Sequence, residues 1–235
     1  MNKTKLEVSI ILLPGLDGTG ELFKPLLDVI ESQRSVRVID YPVDVYLGYS
    51  DLTKYVADIL KDEVEVFLVA ESFSGPIAIR LLFELKDKIK GVVLVASFIS
   101  PPQRFLLNML KFIPADLLFK YDIPDYFIKH YCLGKGAGSE SIRRFKNAVK
   151  LVKPEVLKDR FKAISELDFR DFKTVSNKNV FYINASNDRL VKGRELRVLK
   201  KIIDVKVFEV DGPHFLLQAR PVECGKLILK YSESC

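Results

Sequence analysis

The sequence has few of the residues that build disulfide frameworks or metal sites. Its three cysteines, Cys132, Cys224 and Cys235, are scattered over 235 residues and form no Cys-x-x-Cys pair. This spacing argues against both a disulfide-stabilised fold and a cysteine zinc site. Only two histidines are present, His130 and His214, which argues against a multi-histidine metal site.

Long apolar runs are also missing. No segment approaches the roughly 20 apolar residues that a membrane-spanning helix needs, so we predict no integral membrane segment. The first apolar run is short, contains Glu7 and Ser9, and lacks a cleavage-like site. We therefore interpret it as a first strand and not as a signal peptide. Together with the few cysteines, this predicts a reducing, cytoplasmic setting.

The positive charge is unevenly distributed. The chain has 37 Lys and Arg against 31 Asp and Glu, a formal net charge of +6. Residues 101–175 contain 15 of the basic and 9 of the acidic residues, so this segment accounts for the whole excess. The basic residues do not form a tight run with interleaved aromatics, and we therefore predict no nucleic-acid partner.

Six segments have the character of buried strands. They are rich in β-branched residues, nearly continuous in apolar character and bounded by turn residues, as expected for strands buried on both faces. They cover residues 6–14, 35–42, 64–70, 91–97, 179–185 and 205–210. Apolar residues with helical spacing lie between the first strands. The alternation predicts an α/β fold with a mainly parallel sheet flanked by helices.

This alternation stops at residue 100, and the strand pattern resumes at residue 179. Residues 101–175 have the pattern of helices and loops, entered through Pro101-Pro102. We therefore predict an α/β core formed by residues 1–100 and 176–235. Residues 101–175 would be a helical cap inserted in the core, over one end of the strands.

A polar turn separates two apolar runs in "LVAESFSGPIAIRL", residues 68–81. The simplest interpretation is a turn that joins a core strand to a core helix. The alternative is a nucleophile elbow, Gly-x-Ser-x-Gly, in which a strained strand-to-helix turn exposes a serine. Ala70 and Ser74 replace the two glycines, and both are small. Ser72 is therefore a candidate nucleophile.

Two further polar residues follow later strands. Asp188 comes after strand 179–185 and His214 after strand 205–210. Either could be an ordinary surface residue. The carboxyl ends of parallel strands meet at one edge of the sheet, however, and the chain order serine, aspartate, histidine is that of the α/β-hydrolase triad. Asp211 is the next candidate for the acid.

The segment "LLPGLDGTG" after the first strand is rich in glycine. It lacks both the Gly-x-Gly-x-x-Gly pattern and a Gly-Lys-Ser/Thr ending, so nucleotide binding is disfavoured. A loop at this position can instead donate a backbone N–H to a developing oxyanion. By position, the two donors would be the N–H groups of Leu16 and Phe73.

With these residues identified, the sequence resembles the α/β-hydrolases over nearly its whole length. It is similar in particular to small esterase- and lipase-like members with "LPGLDGTG", "ESFSGPIA" and "GPHFLLQARP". The resemblance implies a triad of Ser72, His214 and Asp188, an oxyanion hole at Leu16 and Phe73, and neither metal nor organic cofactor. Serine at position 72 argues against dehalogenase or epoxide-hydrolase chemistry.

These features predict an enzyme that hydrolyses carboxylic esters or thioesters through an acyl-enzyme. An acyltransferase with the same triad and a non-catalytic small-molecule binding protein are the alternatives. The apolar insertion suits a lipophilic, medium-chain acyl group, with Phe105, Leu110 and Phe127 as candidate contacts. Its positive charge suits a substrate on an anionic carrier or at an anionic lipid surface.

Overall fold

Six parallel strands form the central sheet of the computed structural model, which describes residues 8–102, 123–174 and 179–233. The strand order is β2-β1-β3-β4-β5-β6, and each neighbouring pair is parallel. The strands are β1 (Ser9–Leu13), β2 (Val36–Val38), β3 (Val66–Glu71), β4 (Ile89–Val95), β5 (Val180–Ala185) and β6 (Lys206–Val210). All six predicted strands are confirmed.

Helices connect the strands and cover the sheet. In the described residues they are α1 (Lys24–Ile30), α2 (Tyr49–Ile59), α3 (Gly75–Glu84), α4 (Asp125–Phe127), α5 (Ser139–Lys150), α6 (Pro154–Glu166), α7 (Gly193–Leu199), α8 (Leu216–Ala219) and α9 (Pro221–Glu233). Proline lies in the first two positions of α1, α3 and α6, where its missing N–H costs no helical hydrogen bond. A π-helical turn, Ile128–Cys132, follows α4.

Alternate residues of each central strand enter two apolar cores, one on each face of the sheet. Ile10 and Leu12 lie in the core that also contains residues of α1 and α9. Ile11 and Leu13 lie in the core that also contains residues of α2, α3 and α6. Because both faces are buried, the strands need apolar residues at nearly every position, which is the pattern that the sequence shows.

The predicted strand at 35–42 is much shorter in the structure. β2 spans only Val36–Val38 because it lies at the edge of the sheet and pairs with β1 alone. An edge strand has one neighbour, so fewer of its backbone groups are held in the ladder. The start of β4 also differs from its prediction. The strand begins at Ile89, two residues before the predicted start at residue 91.

The insertion contains no strand among its described residues, 123–174. Its helix α6 places Ala163 and Ile164 in the same apolar core as β1 and β3. α5 contributes Phe145 to a separate cluster, against which Phe215 of the C-terminal part packs. The division of the chain into a core and an inserted cap remains a prediction. The helices predicted near residues 105–119 lie outside the described residues.

The strand order places two predicted site segments side by side. β1 and β3 are neighbours, and the register pairs Leu13 with Ala70 at their carboxyl ends. β2 lies on one side of β1, and the later strands continue from β3 in the other direction. The sheet is thus extended in opposite directions from the β1-β3 pair, which opens a crevice between the loops that follow β1 and β3. α/β proteins bind ligands at such a crevice. The loop 14–20 and Ser72 therefore meet at this crevice.

Candidate active site

Ser72 lies in a strained turn between β3 and α3. Its φ angle is 46°, in the left-handed region that costs a non-glycine residue free energy. The Ser97 hydroxyl donates a hydrogen bond to the Ser72 carbonyl at 2.7 Å. A Cβ atom on Gly75 would lie 1.9 Å from Ser97 Oγ, so close packing of α3 on the end of β4 requires glycine there.

The contacts of Ser74 explain why a serine can replace the second glycine of the Gly-x-Ser-x-Gly pattern. Its side chain is fully buried and donates a hydrogen bond to the carbonyl of Pro14, at the end of β1. The Tyr41 hydroxyl lies 2.6 Å from Ser74 Oγ and can donate to it. A glycine at position 74 could make neither contact, so the serine ties the elbow to the loop after β1.

The structure brings Ser72, His214 and Asp188 into one hydrogen-bonded chain. Ser72 Oγ lies 2.9 Å from His214 Nε2, and His214 Nδ1 lies 2.7 Å from Asp188 Oδ2. The other carboxylate oxygen of Asp188 accepts hydrogen bonds from the backbone N–H groups of Leu190 and Val191, both at 2.8 Å. The imidazole is thus held between an oriented acid and a hydroxyl.

Two opposing effects set the pKa of His214. Burial disfavours the charged imidazolium and by itself lowers the pKa. The charge and hydrogen bond of Asp188, together with the charge of Glu71, act in the opposite direction and leave the pKa above the usual 6.5. The ring is therefore more basic than a free imidazole, although its side chain is only 5% exposed.

A second carboxyl group lies directly beside the serine. Glu71 is 2% exposed, and burial raises its pKa to about 7, although the nearby charge of His214 lowers it. The Gln218 side chain donates a hydrogen bond to Glu71 Oε2 at 3.2 Å. Among the described residues, Glu71 Oε1 and Gln218 Oε1 have no hydrogen-bond partner. A proton on Glu71 removes the cost of a buried, poorly paired carboxylate.

Arg160 of α6 holds the loop after β1. Its guanidinium donates hydrogen bonds to the carbonyls of Leu16, Asp17 and Pro42 at 2.9, 2.7 and 2.9 Å. Arg160 is 1% exposed, so these contacts are shielded from water. A Cβ atom on Gly18 would lie 2.4 Å from the guanidinium, which is why glycine occupies this position. The insertion is therefore bonded directly to the predicted oxyanion loop.

The predicted oxyanion donors lie in the two segments that meet at the crevice. Leu16 is half-buried in the loop after β1, and within the described part of the chain its N–H has no hydrogen-bond acceptor. Phe73 follows Ser72, and its buried ring stacks on Tyr49 with centroids 4.8 Å apart. The oxyanion role of these two N–H groups remains a prediction.

Two other predicted residues, Asp211 and Phe127, have no described contact with the triad. Asp211 Oδ1 accepts hydrogen bonds from Ser186 and Asn187, so the alternative acid is engaged away from His214. Phe127 is 39% exposed and its ring packs on Tyr131, with no described contact to the triad. Phe105 and Leu110 lie outside the described residues. These three substrate contacts remain predictions.

Sequence reasoning missed Arg160, Glu71 and Gln218, although two of them left a signal. Arg160 lies on the buried side of α6 together with Val156 and Leu157. A charge on an apolar helix face points to a buried partner. Glu71 left a similar signal, because it is a charged residue at the end of the apolar strand β3. Gln218 left no signal, since an amide in a short helix is common on surfaces.

Within the described residues, no cluster of three or more histidine, cysteine or acidic side chains could hold a metal ion. Cys132 and Cys224 are buried free thiols, and burial raises the pKa of each to about 12. No helix in the described part of the chain is long and apolar enough to cross a membrane.

Comparison with solved structures decides the fold. A hydrolase from Oleispira antarctica superposes with a TM-score of 0.84 at 18% identity, covering 97% of this chain and 92% of its own. The chain has the α/β-hydrolase fold. An esterase from Exiguobacterium antarcticum shares it with a TM-score of 0.78 at 13% identity, covering 96% of this chain and 92% of its own.

Two further proteins are similar to this chain, one in structure and one in sequence. YbtT, a type II thioesterase from the yersiniabactin pathway, matches with a TM-score of 0.70 at 14% identity, covering 99% of this chain and 95% of its own. Phytyl ester synthase 1 of Arabidopsis thaliana, a chloroplastic protein, is 28% identical over 120 residues. That match spans 47% of this chain and 17% of the plant protein. No family model matches the sequence.

Proposed function

We propose that the protein is a serine hydrolase that cleaves carboxylic esters or thioesters. The observation that carries this proposal is the hydrogen-bonded chain from Ser72 through His214 to Asp188, with the serine in a strained elbow. A fold likeness alone does not define a reaction, because one fold hosts many activities. The nucleophile, base and orienting acid within hydrogen-bond reach of one another are the specific support.

In the first half-reaction, Ser72 Oγ attacks the acyl carbonyl carbon while His214 Nε2 takes the hydroxyl proton. The carbonyl oxygen becomes an oxyanion, which the N–H groups of Leu16 and Phe73 would stabilise. Asp188 keeps Nδ1 protonated, so that Nε2 is free to accept. The tetrahedral intermediate then collapses, the bond to the alcohol or thiol breaks, and the imidazolium returns its proton to the leaving group.

In the second half-reaction, water attacks the acyl-enzyme. His214 takes one proton from the water as the new C–O bond forms, and then returns it to Ser72 as the ester bond to the serine breaks. The products are a carboxylic acid and the free enzyme. Over the cycle Ser72 gives its proton to the alcohol or thiol and regains one from water, so the protons balance, and the proposed cycle draws on no metal or organic cofactor.

Labelling with a serine-reactive fluorophosphonate tests the proposal. The wild-type protein is expected to form a stoichiometric adduct, detected by mass spectrometry and mapped to Ser72. Ser72→Ala is expected to form none, whereas Ser139→Ala, at an exposed position of α5, is the control and is expected to be labelled like the wild type. An unlabelled wild-type protein, or an adduct on another serine, would refute the assignment.

Acyl transfer to an alcohol is the second candidate reaction, favoured by the partial match to phytyl ester synthase 1. The same acyl-enzyme would pass its acyl group to an alcohol oxygen instead of to water. Hydrolysis and transfer are separated by incubating a p-nitrophenyl ester with and without a long-chain alcohol. Formation of the new ester at the expense of the free acid would identify a transferase.

A further inference from the structure

A cavity of about 530 Å³ lies beside the loop that carries His214. Residues on both sides of the triad acid, Asn187 and Arg189, line it, and so does Pro213, which precedes the triad histidine. Lys129, His130 and residues 133–138 of the insertion form one wall, and Gln218 also lines the cavity. The cavity is therefore a separate space adjoining the site, since none of the triad residues lines it.

Basic side chains dominate this cavity. Its charged or titratable lining residues are Lys129, His130, Lys135, Arg189 and Arg220, against the single acid Asp211. The Asp211 carboxylate is already used by two neutral donors, the Ser186 hydroxyl at 2.8 Å and the Asn187 amide at 2.7 Å. Four cationic side chains, Lys129, Lys135, Arg189 and Arg220, therefore face one carboxylate, and the cavity has a net positive charge even with His130 neutral.

Lys129 and Lys135 lack acidic partners. Within the described residues, no carboxylate lies at salt-bridge distance from either ammonium group. Between Lys129 and α5 the chain has three glycines, Gly134, Gly136 and Gly138, and a Cβ atom at either of the last two would meet nothing within 4 Å. The wall is thus open and leaves room for a ligand. A concave site lined by uncompensated charge of one sign attracts ligands of the opposite sign.

The basic wall is attached to the loop of the triad histidine. The Phe215 N–H donates a hydrogen bond to the Cys132 carbonyl at 3.1 Å. A Cβ atom at Gly134 would lie 3.3 Å from the ring of Pro213. Residues 129–138 therefore pack directly on the segment that positions His214, and a ligand held in the cavity lies next to the catalytic apparatus.

The other basic residues of the insertion form a less suitable anion site. Arg143 and Arg144 line a second cavity of about 950 Å³. Four acidic residues line it, Glu21, Asp40, Asp44 and Glu140, against three basic ones, Lys24, Arg143 and Arg144. Arg144 also forms an ion pair with Glu140 at 3.0 Å. Of these two cavities, only the one beside His214 has a net positive lining.

We infer that the cavity beside His214 binds the phosphate groups of a thiol carrier, and that acyl thioesters of this carrier are substrates of the site. The inference rests on the proposed hydrolase function and specifies its substrate class. Lysine and arginine are the residues that bind phosphate oxygens. The concave shape favours a single phosphorylated group that enters the cavity over a flat anionic membrane, which cannot enter it.

A pair of octanoyl thioesters tests this inference. Octanoyl-coenzyme A bears phosphates, whereas octanoyl-N-acetylcysteamine has the same thioester bond and none. We divide kcat/KM for octanoyl-coenzyme A by kcat/KM for octanoyl-N-acetylcysteamine. This ratio is expected to fall about tenfold in Lys129→Gln/Lys135→Gln, because two lysine–phosphate contacts are lost. The matched control, Lys158→Gln/Lys162→Gln, removes two exposed lysines of α6 outside the cavity and is expected to keep the wild-type ratio.

A binding measurement separates failure of this inference from failure of the proposed function. Ser72→Ala is titrated calorimetrically with free coenzyme A, with inorganic pyrophosphate as competitor, and separately with anionic phospholipid vesicles. Coenzyme A binding that weakens in the lysine double variant supports the site even if no ester is hydrolysed. Ester hydrolysis without coenzyme A binding, or lysine-dependent binding to vesicles alone, overturns the inference.

Discussion

Glu71 places a carboxyl group inside the core, directly before the proposed nucleophile. Burial favours its neutral form and raises its pKa to about 7 from the usual 4.5. The folded protein therefore binds a proton more tightly than the unfolded chain between these two pH values. By linkage, this residue lowers the free energy of unfolding as pH rises from about 4.5 to about 7.

We expect Glu71→Gln to stabilise the protein relative to wild type, and to do so more strongly at higher pH. The relative gain should grow by about 2 kcal/mol between pH 5 and pH 8, since each pKa unit corresponds to about 1.4 kcal/mol. Urea denaturation at the two pH values measures it. Glu84→Gln, at an exposed position of α3, is the control and should show no such growth. A constant difference would mean that Glu71 is ionised throughout.

The triad residues are expected to act as a unit. Ser72→Ala and His214→Ala should each lower kcat for p-nitrophenyl ester hydrolysis by about 10³-fold or more, and the double variant should be little worse than either. Asp188→Asn should also lower kcat strongly, because an amide favours the wrong imidazole tautomer. Steady-state kinetics at saturating ester measure all four. Losses that multiply in the double variant would contradict a shared mechanism.

At the scale of elements, Arg160 joins α6 to the loop after β1. Three backbone carbonyls from two segments, at Leu16, Asp17 and Pro42, accept its hydrogen bonds. Such a buried contact fixes the loop from the side of the insertion. Because Leu16 belongs to this loop, the position of its N–H depends on a residue 144 positions away in the sequence.

Arg160→Met is expected to destabilise the fold by about 3 kcal/mol, because it leaves buried carbonyl acceptors without donors. Arg160→Lys retains the charge but not the planar fork, and should fold with less loss. In the lysine variant kcat should fall about 10- to 100-fold with little change in KM, since a displaced oxyanion donor acts mainly on the transition state. Arg197→Lys, at an exposed position of α7, is the control. An unchanged kcat in Arg160→Lys would limit Arg160 to a structural role.

At the scale of the whole molecule, the proposed site is assembled from the sheet and from the insertion. The insertion presents Tyr126 and Phe127 at the surface, 73% and 39% exposed. Exposed aromatic rings of this kind suit contact with a lipophilic acyl chain. The acyl preference is predicted from the apolar composition of residues 101–175.

The kcat/KM for p-nitrophenyl esters is expected to rise from acetyl to about octanoyl. Each methylene buried in an apolar site contributes about 0.8 kcal/mol, so four methylenes correspond to about 10²-fold. A series of esters with even-numbered acyl chains, assayed below their micelle-forming concentrations, measures this rise. A steady decline beyond butyryl would show that the acyl site is small.

The six strands and the polar residues at their ends could be identified from the sequence alone. Buried parallel strands need apolar residues on both faces, and this requirement is visible within each segment. The candidate triad could likewise be selected from residue type, chain order and position after a strand. The length of the edge strand β2 was overestimated. The apolar pattern of residues 35–42 does not show that this strand has only one neighbour.

Only the tertiary structure decided which distant residues meet. Ser72 and His214 are 142 positions apart, and their 2.9 Å contact depends on the order of strands between them. The contacts of Arg160 and the basic cavity beside His214 arise in the same way, from segments that share no local pattern. Local periodicity reports whether a residue is buried. It does not report the partner against which it is buried, because that choice is made by the packing of the whole chain.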